Sequence, residues 1–541
     1  MSSRLKSSSE SNASRLTRSV PASRSHSLAV AAGIFLSRIA GLVRERVFAH
    51  YFGNSDAGDA FKAALKIPNF LQNLFGEGVL SASFIPFYAR LLAQNEKEAA
   101  RRVAWTVGAI LAFVISLIVL GGVLATPHLI SAIAPGFEGE KRELTIRIVR
   151  ILFPGTGLLV LSAWCLGILN SHRQFFLSYS APVLWNLAII GTMIFFGSKH
   201  GMEELAIDAA WGLFAGSALQ FLAQFPFVLR WIRAFRKAEA NDRSAIRGIG
   251  RSFFPVVIGR GVVQISAYVD NMIASLLPTG AVSAIAYAQT LYLLPVSLFG
   301  MSVSAAELPE LASVGDDDEG AKAKLRNRIE LGISRISFFV IPSVAGFLFL
   351  GDTIAAAIFQ TGEFKRNDSL LLWAILAAAA VGLLPATRGR LLSSSFYALR
   401  DTRTPLKISC LRMVVAVSLG LFAATKLPSI AGYPKIYGTV GLTGASGLAG
   451  WLEYLLLKRR LESRIGSIRV GGRAQNRAVF AAGLAAIMAF SVKIALEDFN
   501  RPIVSAAVVL GAFGAIYFVV GALLGIEESK RLCARFGLRF D

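Results

Sequence analysis

Apolar segments of about 20 residues, each long enough to cross a bilayer as a helix, alternate with short polar segments along most of this chain. Fourteen predicted spanning helices lie near residues 28–50, 64–92, 103–126, 147–169, 179–197, 205–229, 252–277, 281–305, 331–350, 370–398, 406–426, 436–457, 478–497 and 503–525. The first two are the most polar. The pattern predicts an all-α polytopic membrane protein with about 14 transmembrane helices.

The charged residues between these segments indicate the side of the membrane on which each loop lies. Alternate loops are basic, near residues 97–102, 230–251, 322–328 and 458–477. The loops between them hold few Lys or Arg residues, and several carry acids. Because basic loops stay in the cytoplasm, we expect both termini to be cytoplasmic.

Composition supports a membrane protein and disfavours two other classes. The 541 residues are 54% hydrophobic and 17% charged, with a mean hydropathy of +0.57. The net charge of +22 would suggest nucleic-acid binding in a soluble protein, but cytoplasmic basic loops explain it here. The cysteines and histidines show no metal-ligand spacing, and no nucleophile–base pair or phosphate-binding loop is present. We expect no nucleic-acid partner, no metal, no cofactor and no enzyme chemistry.

A weak internal repeat predicts how the helices are grouped. Phe153-Pro154 in the fourth segment recurs as Leu384-Pro385 in the tenth, and an offset of six helices preserves the membrane orientation. We therefore predict two six-helix lobes related by pseudo-two-fold symmetry, followed by two C-terminal helices. The predicted divisions are a disordered basic cytoplasmic tail at 1–27, an N-terminal lobe with its loop at 28–251, a C-terminal lobe at 252–457, and the last two helices with a cytoplasmic tail at 458–541. The composition of the first division is also that of a transit peptide.

Basic residues inside the apolar segments indicate a water-filled cavity. Arg38, Arg44 and Arg46 lie in the first segment, and Arg260 lies in the seventh. A charge at bilayer depth is costly unless it faces water or a partner, so we predict a cationic cavity whose guanidinium groups bind phosphate oxygens. Alternatively, Arg44 and Arg46 reach the outer interface and Arg38 pairs with a buried acid such as Glu77. The depth of Arg38 favours the ligand, whereas the position of Arg46 favours the interface.

A polar stripe in the second segment predicts another wall of this cavity. Asn69, Gln72, Asn73 and Glu77 are spaced three or four residues apart, which places them roughly on one helical face. Their donors and acceptors suit sugar or amide groups. A polar seam between two helices explains Asn69 equally well, whereas the cavity is favoured for Glu77.

The seventh segment repeats this arrangement. Arg260, Gln264 and Asn271 fall on one face of a helix. Asp270 lies beside that face, or at the outer end of the helix, where water would satisfy its charge. Two further intramembrane cations lie in the tenth segment, where we favour pairing within the lobe over ligand binding: Arg388 and Arg390.

Short motifs extend along the chain, among them Ser37-Arg38-Ile39-Ala40-Gly41-Leu42-Val43-Arg44-Glu45 and the segment 396–405. Others lie at residues 58–61, 66–69, 76–86, 181–186, 264–266, 287–289 and 362–364. Together they resemble the MurJ (MviN) family, the lipid II flippases of bacterial peptidoglycan synthesis within the MOP exporter superfamily. The resemblance covers the chain from about residue 28 to about residue 525.

The resemblance implies two lobes in a V, with helices one, two, seven and eight around a central cationic cavity and two extra helices forming a groove for a polyprenyl tail. It implies functional roles for five residues of the first two segments and their connection: Arg38, Arg44, Glu45, Asp59 and Glu77. It also implies the bacterial cytoplasmic (inner) membrane, with lipid II, membrane lipids and cell-wall synthesis proteins as partners. The chain departs from the family where some relatives carry arginines, at Gln72, Asn73 and Thr290.

These observations predict a transporter that moves lipid II to the outer leaflet by alternating access. We expect Arg38, Arg44 and Arg260 to bind the headgroup. Because the sequence has no nucleotide-binding motif, we expect an ion gradient or the membrane potential to drive transport. Two alternatives stay open: an exporter of another polyprenyl-linked oligosaccharide, and a non-transporting membrane scaffold for envelope synthesis.

Overall fold

The computed structural model describes residues 24–75, 77–232, 268–304, 319–399, 401–496 and 501–538 of the chain. Helices dominate these ranges, and no β-strand occurs within them. Two predicted site residues, Arg260 and Gln264, lie outside the described residues, as do residues 1–23 of the predicted tail and the side chain of Glu77.

The first half of the chain forms eight helices. They are α1 (Arg24–Phe52), α2 (Asp56–Ala64), α3 (Lys66–Phe75), α4 (Glu77–Ala93), α5 (Lys97–Ile133), α6 (Gly139–Ser171), α7 (Phe175–Phe196) and α8 (Met202–Ile232). The Ser55 hydroxyl accepts a hydrogen bond from the backbone N–H of Gly58 and so caps α2. Helices α3 and α4 correspond to the predicted segment 64–92 and lie on either side of Gly76, which is outside the described residues.

The second half begins with α9, of which residues 268–275 are described. The following helices are α10 (Ala281–Pro295), α11 (Glu319–Phe349), α12 (Gly351–Phe359), α13 (Arg366–Ala398), α14 (Arg403–Thr425), α15 (Leu427–Ile430), α16 (Gly438–Ile465), α17 (Arg473–Ala495), α18 (Pro502–Leu523) and α19 (Glu527–Arg535). A π-helical turn, Val296–Met301, follows Pro295. Proline lacks a backbone N–H, so a local change of the hydrogen-bonding pattern at this point is expected.

Each of the two predicted lobes contains helices that pack against one another. In the first lobe, α6 packs against α5 and α8, and α7 packs against α1 and α8. In the second lobe, α13 and α16 pack together and contact α10, α11 and α14. The last two long helices, α17 and α18, pack on each other and on α11 and α12. The carboxylate of Asp352 in α12 accepts hydrogen bonds from the Lys493 ammonium of α17, at 2.7 and 2.8 Å, which joins this pair to the second lobe.

Eleven helices of the described residues are long and apolar enough to cross a membrane. They correspond to eleven of the predicted spans. The predicted span 28–50 forms one continuous helix, which is not among these eleven. In the span 64–92, Gly76 and several of the side chains after it lie outside the described residues, as does most of 252–277. The chain is therefore a multi-pass membrane protein, and the count of fourteen stays a prediction.

The two lobes meet at one end of their helices. Among the described residues, every hydrogen bond between the lobes joins residues 46–66 or 133–136 of the first lobe to residues 268–289 or 357–368 of the second. We call this contact the gate. The basic loops lie at the opposite ends: α5, for example, runs from its basic start at Lys97 to Ile133 at the gate.

Candidate functional site

A cluster of three charges lies in the first lobe, beside the gate. The Glu45 carboxylate accepts a hydrogen bond from the Arg44 guanidinium at 2.6 Å and from the Lys62 ammonium at 2.5 Å. Both Glu45 and Lys62 are buried. Lys62 also lies over the ring of Phe48, with its ammonium 4.1 Å from the ring centroid. Burying these charges is tolerable because each has an opposite charge in contact.

Arg44 extends from this cluster to α7. Its Nη1 donates to Asn186 Oδ1 at 3.1 Å, and its guanidinium lies 4.8 Å from the centroid of the Trp185 ring. Arg44 therefore joins α1 to α7 within the first lobe. Its predicted contact with a ligand stays a prediction.

Arg38 has a different environment. Its side chain is exposed, and no hydrogen bond or ion pair joins it to another described residue. Because Arg38 precedes Glu45 by seven residues, both lie on one face of α1. At Glu45 that face points into the protein, towards the buried charge cluster. Arg38 lies seven residues earlier on the same face, where its guanidinium is exposed.

Asp59 forms the central contact of the gate. Its carboxylate accepts hydrogen bonds from the backbone N–H groups of Gly280 and Ser283, each at 2.8 Å, and from the Lys141 ammonium at 2.8 Å. Gly280 and Ser283 lie in and just before the first turn of α10, where unpaired N–H groups and the helix dipole favour an anion. An acid of the first lobe thus caps a helix of the second.

Asp56 adds a more exposed contact at the same place. It accepts a hydrogen bond from the Thr279 hydroxyl at 2.8 Å and pairs with Lys141 at 2.8 Å. Partial burial of the Asp56 carboxyl acts to raise its pKa, but the hydrogen bonds from Lys141 and Thr279 outweigh that effect and hold the pKa below its usual value.

Arg46 makes the complementary contact at the end of another helix. Its Nη1 donates to the carbonyl oxygens of Ala357 and Ile358, both at 2.7 Å. These carbonyls belong to the last turn of α12, where a cation is favoured by the helix dipole. Arg46 therefore binds the second lobe, instead of serving only as an interfacial residue.

The loop after α12 fits closely against the end of α1. The backbone N–H of Glu363 donates to the His50 carbonyl oxygen at 2.9 Å, and His50 Nδ1 lies 2.8 Å from the Thr361 hydroxyl. Gly362 has φ +55°, and a Cβ there would lie 2.2 Å from the His50 carbonyl oxygen. Only glycine fits this position without displacing the gate.

The other predicted site residues fall in two places. The amide of Asn271 donates to the Ile133 carbonyl oxygen at 3.2 Å, which places it in the gate. On α3, Asn69 and Asn73 are exposed and Gln72 is half-buried, opposite the buried side chains of that helix. Within the described residues no helix covers these amides. Their contact with substrate stays a prediction.

A cavity of about 670 Å³ lies in the second lobe, within the ~300–1,000 Å³ range typical of small-ligand sites. Its walls come from α9, α10, α13, α14 and α16. The charged side chains that line it are Asp270, Arg390, Arg412 and Glu453. Arg412 and Glu453 are absent from the predicted site. The rule that identified Arg38, that an intramembrane charge indicates a cavity, could have found them.

Two neighbouring arginines of α13 have different roles. Arg388 is buried, and its guanidinium donates to the Ser337 hydroxyl and to Gln475 Oε1, which fits the predicted pairing within the protein. Arg390 is exposed and faces the cavity instead. Lys66, which the sequence motifs did not single out as a site residue, donates to Gln289 Oε1 at 3.4 Å and so brings a cation of the first lobe to the cavity wall.

Comparison with known proteins gives consistent matches. A family model described as "Lipid II flippase MurJ" matches residues 48–513. The chain is 31% identical over 439 residues to the "Probable lipid II flippase MurJ" of Haemophilus influenzae, covering 79% of this chain and 84% of that protein. It is 30% identical over 444 residues to the "Lipid II flippase MurJ" of Burkholderia cenocepacia, covering 81% and 83%.

Solved structures share the fold. One described as "Lipid II flippase MurJ, inward closed conformation" matches with a TM-score of 0.72 at 24% identity, covering 92% of this chain and 98% of that chain. An inward-facing multidrug resistance MATE family transporter of the MOP superfamily matches with a TM-score of 0.61 at 19% identity, covering 79% and 95%. The predicted all-α polytopic membrane fold is confirmed.

Proposed function

Because this chain belongs to the family of the lipid II flippase MurJ, we propose that it carries lipid II across the bilayer by alternating access between its two lobes. The observation that supports this mechanism is the one-sided contact between the lobes. Among the described residues they are hydrogen-bonded only at the gate. Breaking the gate and closing the opposite ends would expose the same charged groups to the other side of the membrane.

The charges supply the binding energy in this scheme. Lipid II carries a pyrophosphate, which cannot enter hydrocarbon without losing its hydration. Arg38 offers a guanidinium with no side-chain partner among the described residues, and guanidinium groups bind phosphate oxygens in bidentate fashion. Arg44 and Arg260 would complete the binding group if substrate draws them towards Arg38.

The polyprenyl tail has a separate path in this proposal. Helices α17 and α18 stand outside the two lobes and carry exposed apolar side chains, including Phe480, Ile487 and Ile503. A groove there would keep the tail in an apolar environment while the headgroup crosses through water. The polyprenyl tail would then stay in hydrocarbon and the polar headgroup would stay in water.

The proposed orientation places the basic loops in the cytoplasm of a bacterium and the gate outside its inner membrane, with both termini cytoplasmic. The conformation described here would then be open inward, ready to receive a precursor made in the cytoplasm. The proposed driving force is an ion gradient or the membrane potential. Abolishing the potential with an ionophore while preserving the pH gradient separates these sources.

The first experiment replaces Arg38 in the host bacterium. The wild-type protein is depleted, a variant is supplied, and the fraction of lipid II accessible to an externally added lipid II-cleaving enzyme is measured. We expect depletion to trap lipid II inside, and we expect the wild type but not Arg38→Ala to restore its outward movement.

The matched control is Arg90→Ala, which removes an exposed cation from the basic end of α4. It should transport normally. Full transport by Arg38→Ala at normal membrane abundance would contradict the role of Arg38. Unchanged accessibility of lipid II after depletion, in a cell without a second flippase, would contradict the function itself.

A further inference from the structure

Two side chains of opposite charge line the cavity of the second lobe and are available to a ligand. Arg390 on α13 and Asp270 on α9 both line it. Within the described part of the chain, neither forms a hydrogen bond or an ion pair with another side chain. A charge inside a membrane protein is retained at a cost unless water or a ligand compensates for it. These two residues therefore offer one cationic and one anionic binding position.

A second pair on the opposite wall is only partly satisfied. The Glu453 carboxylate accepts a hydrogen bond from the Ser409 hydroxyl at 2.6 Å and lies 3.6 Å from Arg412 Nε. That distance suits an ion pair but is too long for a hydrogen bond, and Arg412 Nε is buried without a hydrogen-bond partner. Arg412 thus keeps donors that a ligand could use. With both pairs counted, the cavity is lined by two cations and two anions.

This balance of charge selects among the parts of lipid II. A pyrophosphate carries only negative charge, so Asp270 and Glu453 would repel it. A disaccharide is uncharged at the positions that could bind and has no need of four ionised side chains. The peptide ends in a carboxylate, and it must also carry the amino group that later forms the cross-link between glycan strands. The peptide alone presents both signs.

The uncharged lining also suits a peptide. Ser393, Ser394, Thr443 and Ser446 place hydroxyl groups along the cavity, where they can donate to carbonyls and accept from N–H groups. Several lining residues of α13 and α16 have no side chain or only a methyl group, so that a peptide backbone can approach the wall closely: Ala379, Gly382, Ala386, Gly389, Gly447 and Gly450. The cavity also reaches the lobe interface, because its lining residue Gln289 is the one bound by Lys66.

We propose that this cavity binds the peptide portion of the lipid II headgroup, with peptide carboxylates at Arg390 and Arg412 and the peptide amino group at Asp270. The inference rests on the proposed function and adds a division of labour to it. The first lobe, including Lys66, receives the pyrophosphate end together with Arg260, and the cavity of the second lobe recognises the peptide. A headgroup held by both lobes would couple its own binding to their relative movement.

The test compares two water-soluble short-chain forms of lipid II, one with the complete peptide and one without it. Their dissociation constants are measured with the full-length protein in lipid nanodiscs. We expect the wild type to bind the peptide-bearing form at least ~10-fold more tightly. In Arg390→Gln and in Asp270→Asn, the ratio of the two affinities should fall towards one.

The control is Arg366→Gln, which removes an exposed cation at the other end of α13, outside the cavity. Its affinity ratio should equal that of the wild type. A ligand whose peptide carboxylates are amidated tests the same point without any mutation. It should bind the wild type as weakly as the peptide-free form binds.

The outcomes separate the two proposals. Equal affinity of the wild type for both forms would overturn the peptide site while leaving the flippase function in place. An unchanged ratio in Arg390→Gln and Asp270→Asn would also overturn it. Failure of the wild type to bind either form would count against the proposed function itself.

Discussion

In the N-terminal lobe, the carboxylate of Glu45 lies 2.6 Å from Arg44 and 2.5 Å from Lys62, whereas Arg390 and Asp270 in the C-terminal lobe face a cavity without a side-chain partner among the described residues. Arg44, Glu45, Asp270 and Arg390 lie in segments predicted to cross the membrane, and Lys62 lies in the short helix α2 that follows the first of them. The first group is buried and neutralised by contact. The second is kept where water or a ligand can reach it.

The difference shows two uses of intramembrane charge. A buried ion pair fixes the positions of the helices that carry it, because separating the partners leaves an uncompensated charge. Charges that face a cavity do not fix the positions of helices, but they can still bind a ligand. We therefore expect variants of the first group to change stability and variants of the second to change recognition.

The largest expected effect on stability comes from Glu45→Gln. This change leaves the ammonium of Lys62 buried without its carboxylate, and breaking such a pair costs roughly 3–5 kcal/mol. Thermal unfolding in detergent should show a strongly lowered Tm. The matched change in the other lobe, Asp270→Asn, breaks no ion pair and should alter the unfolding free energy by less than about 1 kcal/mol.

A double variant sharpens this comparison. Replacing both members of a buried pair by uncharged groups removes the uncompensated charge, so Glu45→Gln with Lys62→Met should recover part of the lost stability. If the double variant is less stable than Glu45→Gln alone, contact between the two charges is not the source of the effect.

Asp59→Asn should have the next largest effect, on the equilibrium between conformations. The carboxylate holds two N–H groups of α10 and the Lys141 ammonium, and each hydrogen bond to a charged group contributes about 1.5–3 kcal/mol. An amide keeps part of this, so we expect the gate-open population to rise on the order of 10- to 100-fold.

The gate can be followed by the distance between spin labels at Glu203 and Ser429, both of which are exposed. The distance distribution should gain a longer component in Asp59→Asn. The control is Asp208→Asn, which alters a carboxylate that contacts the His200 ring within the first lobe at 2.6 Å and makes no contact across the gate. An equal change in both variants would show that Asp59 does not hold the lobes together.

Arg46→Gln should open the gate less. A glutamine amide can replace one of the two hydrogen bonds to the carbonyls of Ala357 and Ile358, although it loses the charge that favours a helix C-terminus, an effect of about 0.3–1 kcal/mol. We expect a shift of roughly 3- to 10-fold in the same label experiment. Arg46→Lys retains the charge and should lie closer to the wild type.

The sequence predicted eleven of the membrane-spanning helices, because a run of apolar side chains long enough to cross a bilayer can be read from the sequence itself. The role of Asp59 could not be predicted from the residues around it. Its partners are backbone N–H groups of α10, and such groups exist at every residue except proline. Which of them is unpaired, and which acid reaches it, depends on how two lobes distant in sequence are placed together.

The smallest expected effect lies at the basic end of the second lobe, where both signs are again in contact but near solvent. The Asp401 carboxylate accepts hydrogen bonds from the hydroxyl and the backbone N–H of Thr404, a residue in the first turn of α14. It also pairs with Arg464 at 2.6 Å. The hydrogen bonds from Thr404 and the charge of Arg464 lower the pKa of Asp401 to about 2. Asp401→Asn should therefore cost only about 1 kcal/mol, as typical for a helix cap.

The pH dependence of the stability difference between the wild type and Asp401→Asn distinguishes an ionised cap from a neutral one. Because the pKa of Asp401 is lower in the folded protein, at about 2 against 3.8 for the free group, its contribution is complete above the unfolded value and is lost as the pH falls through the folded value. Melting of the wild type and Asp401→Asn should thus differ by a constant amount above about pH 5, and the curves should converge in strong acid. A gap that widens as the pH falls would mean that the carboxylate does not stabilise the start of α14. Ion pairing near solvent would then contribute nothing to stability, and the difference between Asp401 and the buried cluster of Glu45 and Lys62 would come from burial alone.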